Sequence, residues 1–60
     1  MAAFTNERFA QHCIRMAAKA AGWAGDILDS PDEPARRDAV ERFITEMRDR
    51  LTFMEEKLNG

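Results

Sequence analysis

Asp29-Ser30-Pro31-Asp32-Glu33-Pro34 is the one stretch of the 60-residue chain at which a helix has to stop and restart. Each proline lacks the backbone N–H that a helix interior needs, and Pro34 also disfavours helical angles at Glu33. Ser30 with Glu33 three residues later has the capping-box pattern, which places Pro31 at the first helical position. Asp32 is the alternative cap, leaving Glu33 and Pro34 in a first turn that requires no intrahelical donor. Either reading puts a turn within 29–33. Both also set Asp32 and Glu33 near the positive end of a second helix dipole.

Upstream of the turn, Phe9, Cys13, Met16, Ala20, Trp23 and Ile27 follow at alternating spacings of four and three, the pattern of a helix edge facing a partner. Thr5 is the expected N-cap, with Phe4 and Phe9 forming a hydrophobic staple around it. Downstream, Val40, Ile44, Met47, Leu51, Met54 and Leu58 repeat the same spacing, and Asn59-Gly60 reads as the stop. The far side of this second helix carries Asp38, Arg42, Glu46 and Arg50 at spacings of four, placed for weak pairing one turn apart. Folding the chain at the turn brings 27 opposite 40, 23 opposite 44, 20 opposite 47, 16 opposite 51, 13 opposite 54 and 9 opposite 58. The expected fold is all-α: a two-helix antiparallel hairpin, about 6–28 and 33–58, forming one domain over 1–60.

A chain this short rarely stabilises a core without disulfides, metal or self-association. The single cysteine, Cys13, excludes an internal disulfide, and one cysteine with one histidine falls short of a structural zinc site. Ala10, Ala17 and Ala24 run beside the first seam, with Ile14, Ala21 and Leu28 beyond them, so the apolar arc is too wide for one partner helix. Two hairpins packed face to face bury the surplus. A homodimeric four-helix bundle is therefore expected, with the two seams plus Ala17 and Ala24 as its core; the amount of apolar surface does not by itself exclude a tetramer. Gly22 and Gly25 make residues 17–25 nearly all small, which is expected to let another backbone approach closely.

Nine basic and eleven acidic side chains give a formal charge of −2, which argues against a general nucleic-acid or acidic-membrane binder. Met1–Phe4 has no basic start of a secretory signal, and Lys19 and Asp26 interrupt the Ala-rich run, which excludes it as a membrane span. A cytoplasmic location is expected.

No constellation for catalysis, cofactor or metal is visible, and no enzyme activity is expected. His12 and Cys13 point about 100° apart on a helix, so they do not form a nucleophile and base. The bundle-type metal site would require inward Glu and Glu-x-x-His, and the inward positions are apolar. Two surface features remain. Ala39, Phe43, Arg50 and Phe53 lie off the second seam and combine aromatics with Arg, the composition of a protein-interface centre. Arg8, His12, Arg15 and Lys19 form a basic stripe that a two-fold dimer doubles, a candidate RNA surface. The leading expectation is a non-catalytic protein-interaction module acting as an adaptor, inhibitor or accessory subunit. An RNA-binding regulator and a purely structural oligomer are the alternatives.

The hairpin length and the acidic turn, Leu28-Asp29 through Asp32-Glu33, resemble the Rop family of plasmid copy-number regulators, whose dimeric hairpins contact paired RNA loops. That resemblance implies a four-helix bundle and RNA as partner. The family's Phe among polar residues of the first helix has no counterpart, because Phe9 belongs to the seam, so its binding residues do not carry over. Ile14-Arg15-Met16-Ala17 with Met47-Arg48 is similar to the small delta subunit of soluble formate dehydrogenases, which implies an accessory subunit. That family's aromatic-Pro-Arg-Met-Arg closing motif is absent.

Overall fold

The computed structural model describes residues 4–60, which form two helices, α1 (Asn6–Leu28) and α2 (Glu33–Asn59), packed against each other as a hairpin. Met1–Ala3, part of the stretch read for a secretory signal, lie outside the described residues. Thr5 caps α1, its Oγ1 accepting from the Arg8 N–H at 3.2 Å. The Phe4 and Phe9 rings meet edge to face with centroids 5.1 Å apart, which is the staple that sets how the chain enters α1. At the other end of the chain, the Gly60 N–H closes α2 on the Glu56 carbonyl at 2.9 Å.

The turn resolves the two capping readings. Asp32 caps α2, its Oδ1 accepting from the Ala35 N–H at 2.9 Å, and Pro34 sits in the first turn. Ser30 serves the other helix: its hydroxyl donates to the Asp26 carbonyl at 2.9 Å while its N–H donates to Ile27. Carbonyls at the end of α1 have no intrahelical donor, so a hydroxyl there satisfies one of them. The two candidate caps thus serve different helices.

α1 meets its neighbour largely as its spacing predicts, with Phe9, Met16, Ala20, Trp23 and Ile27 half-buried; Cys13 is exposed and His12 is half-buried in its place. α2 is rotated relative to expectation. Ala39 is buried, Phe43, Glu46 and Arg50 are half-buried, and Phe53 is turned toward α1. Val40, Met47 and Met54 of the expected seam stay half-buried, but Ile44, Leu51 and Leu58 remain 43%, 51% and 72% exposed. Since one residue is 100° of helix, an inward edge shifted toward 39, 43, 46, 50 and 53 is the expected one moved back by up to one position.

The cause lies in polar and aromatic groups that hydropathy places outside. Glu46 accepts a hydrogen bond from the Trp23 indole Nε1 at 3.1 Å and pairs with Lys19 Nζ at 3.5 Å. Phe53 packs on Phe4 and His12, with ring centroids 5.9 and 5.2 Å apart. The longitudinal register is close to the expected one, since Glu46 sits between Lys19 and Trp23, level with residue 21.

Burial within one hairpin is slight. Among the described residues only Ala39, 8% exposed, is buried, while Ile14 and Leu28 are 68% and 84% exposed. The radius of gyration is 14.4 Å, against about 10 Å for a compact chain of this length. Gly22 and Gly25 keep helical backbone, and a Cβ added at either would meet nothing within 4 Å. No backbone of this chain makes the close approach expected there.

Candidate interaction surface

Rotation of α2 divides the hairpin into two unlike faces. On one, a shallow groove runs between the helices, lined by Arg15, Lys19, Gly22, Trp23 and Asp26 from α1 and by Glu46 and Arg50 from α2. It continues toward the open end of the hairpin past His12, Asp49 and Phe53. The other face holds apolar hollows, one lined by Phe9, Leu51, Met54 and Leu58 with Glu55 at its edge, the next by Phe43, Ile44, Met47 and Leu51 with Arg48 and Glu55.

Glu46 anchors the polar groove. Its Oε2 takes the indole proton; its Oε1 is shielded from solvent and accepts no hydrogen bond, although Lys19 Nζ at 3.5 Å supplies charge. Trp23 is thereby held with its ring between the helices and its polar edge spoken for. Farther along, the His12 ring lies between Phe4 and Phe53, with its Nδ1 shielded and without a hydrogen-bond partner. Lys57 Nζ stands 5.2 Å from the Phe53 centroid and 5.9 Å from Phe4, and Arg8 lies 5.5 Å from Phe4. Cations over aromatic faces at such distances contribute about 0.5–1 kcal/mol each when exposed. The open end of the hairpin is thus pinned by an aromatic cluster capped with two positive charges.

The expected sites are distributed as follows. Ala39, Phe43, Arg50 and Phe53 lie along one edge of α2, but that edge faces α1. Ala39 is buried between the helices, Phe43 and Arg50 are half-buried, and Phe53 keeps 38% of its surface. What this set offers outward is the Arg50 and Phe53 rim of the polar groove. Of the basic stripe, Arg15 and Lys19 line the polar groove and His12 its continuation, but three of its members are engaged within the hairpin. Arg8 lies over Phe4, His12 is packed between rings, and Lys19 is paired with Glu46, leaving Arg15 in a groove that also carries Asp26 and Glu46.

Glu46 and the Phe4–His12–Phe53–Lys57 cluster were the functional-looking features a hydropathy reading passes over. A signal for them exists: Ala39, Phe43, Glu46, Arg50, Phe53 and Lys57 have the same four-three spacing as the apolar seam, one residue earlier. Long charged side chains lay their apolar stems along such an edge while their heads reach out, so the spacing is real although the hydropathy is low.

Among the described residues no three His, Cys, Asp or Glu side chains gather as metal ligands, and no helix is long and apolar enough to cross a membrane. Cys13 is a free, exposed thiol. The chain matches no protein-family model, no curated protein and no solved structure.

Proposed function

We propose that the chain is a small non-catalytic interaction module, an adaptor, inhibitor or accessory subunit, that acts as a homodimeric helical hairpin in a four-helix bundle and presents its polar groove to a partner protein. The observation that carries this reading is the apolar face left open at Ile44, Leu51 and Leu58. A compact 6.9 kDa protein exposes about 4000 Å² by the scaling of surface with mass, whereas the hairpin exposes 4935 Å². The surplus of about 900 Å² is close to the roughly 800 Å² that each partner buries in a standard interface.

Protein is favoured over RNA as the further partner because the groove mixes Arg15, Lys19 and Arg50 with Asp26, Glu46 and Asp49. A mixed-sign groove with Trp23 and Phe53 along it suits a peptide surface. A phosphate backbone gains most from cations of one sign.

Sedimentation equilibrium of the wild type and of Leu51→Lys tests the reading. On an isolated hairpin Leu51 is half-exposed, so the substitution changes stability by about 0.5 kcal/mol or less. Under the proposal it buries an unpaired charge, and the mass falls from twice the chain mass to one with loss of helicity. A wild type that stays monomeric at high micromolar concentration, or a Leu51→Lys variant indistinguishable from it, overturns the proposal.

A further inference from the structure

We infer that the second copy of the chain lies across the apolar face with both turns at the same end, each α1 packed on the partner's α2. The inference rests on the homodimeric reading and adds to it the orientation of the two copies.

The face itself supplies the argument. It is a strip within a hairpin measuring 49 × 16 × 9 Å, with α1 along one side and α2 along the other. The α1 side offers small residues along its middle, Cys13, Ala17 and Ala24, all exposed, with the larger Phe9 and Leu28 only at its two ends. The α2 side offers large ones, Ile44, Leu51 and Leu58, also exposed. The charged residues that line the hollows are Arg48 and Glu55, and Arg36 stands one turn before Val40 at the turn end of the strip. A greasy strip with one small-residue half and one large-residue half is complementary to itself turned over, which is what a two-fold interface requires.

Two two-fold arrangements bring such faces together. With the axis running across the helices, the turns lie at opposite ends, α1 covers α1 and α2 covers α2. Alanine then meets alanine along one side while leucine and isoleucine meet their own kind along the other, so the two helix spacings differ and the bundle is wedged. With the axis running along the helices, the turns lie together and each small-residue half receives a large-residue half. Every helix pair then reaches the ordinary spacing of about 8–10 Å, and each layer alternates small and large side chains.

The opposing effect is the meeting of two acidic turns, each with Asp29, Asp32 and Glu33. All three are exposed, and Glu33 is already paired with Arg36 at 3.6 Å. Repulsion between exposed charges is screened beyond about 10 Å at 0.1 M salt. The repulsion acts only at the turn end, whereas the apolar strip extends along both helices.

Nitroxide labels on introduced cysteines decide the orientation. Pro31→Cys, at the exposed turn, and Asn59→Cys, at the open end, are each made in a Cys13→Ala background, and intermolecular distances are read by pulsed dipolar spectroscopy. Sedimentation confirms that each labelled chain keeps the wild-type mass. The expected result is a short distance at both sites, under about 30 Å once label arms are added to neighbouring helix spacings. Distances approaching the 49 Å length of the hairpin at both sites place the turns at opposite ends and overturn the inference while leaving the homodimer intact. Absence of any intermolecular distance together with a monomeric mass, for wild type as well as labelled chains, overturns both.

Discussion

Glu46 shows how a single side chain redirects a helix. Counted by charge alone it belongs to the solvated side of α2, one turn from Arg42 and Arg50. In the hairpin it turns inward, taking the Trp23 indole at 3.1 Å and the Lys19 ammonium at 3.5 Å. A half-buried indole left without an acceptor carries a desolvation cost, so the carboxylate and the ring are drawn to the same layer. Glu46→Ala is expected to destabilise the protein by about 1 kcal/mol, the typical net worth of one such bond. On a chain this small that lowers the melting temperature by about 4–8 °C. Trp23 is the only tryptophan, so its emission reports the same event and should shift to the red. Glu46→Gln keeps an acceptor oxygen and should show less than half of either effect; equal losses in the two variants would locate the contribution in the Lys19 charge instead.

The elements were largely legible from spacing and caps. The turn and both helix spans follow from the two prolines, the cap residues and the four-three repeats, because local chemistry alone fixes them. Which polar residue caps which helix was not legible, since Ser30 and Asp32 satisfy the same pattern and only the path of the chain distinguishes them. Loss of the Asp32 oxygen is expected to cost about 1 kcal/mol, the usual effect of removing an N-cap. Asp32→Ala should therefore lower helicity at 222 nm and the melting point clearly more than Ser30→Ala, and Asp32→Asn should restore most of the loss. The reverse ranking would reinstate the capping box. The rotation of α2 escaped the sequence for a related reason: two edges with identical periodicity compete, and hydropathy favours Val40 through Leu58, while the Trp23–Glu46 bond and the Phe4–His12–Phe53 contacts act for the other. Those contacts join residues at least 23 positions apart, apart from Phe4 and His12, and no local pattern encodes them.

At the scale of the whole molecule, the hairpin has a polar face organised around Glu46 and an apolar face with little to cover it. The four residues from Asp29 to Asp32 are all that join α1 to α2. Closing so short a connection takes about 10–100 ns, so the two halves find each other long before two chains collide. Under the dimeric reading each closed hairpin is short-lived on its own and is retained only if another arrives in time. Protein encounters proceed at roughly 10⁵–10⁷ M⁻¹s⁻¹, and the small fraction of chains closed at any instant slows them further. Recovery from denaturant should consequently be second order, its half-time lengthening in proportion to dilution when followed by Trp23 emission. A half-time indifferent to chain concentration would mean that the folding of one molecule is finished without company, and that a solitary hairpin is the working form.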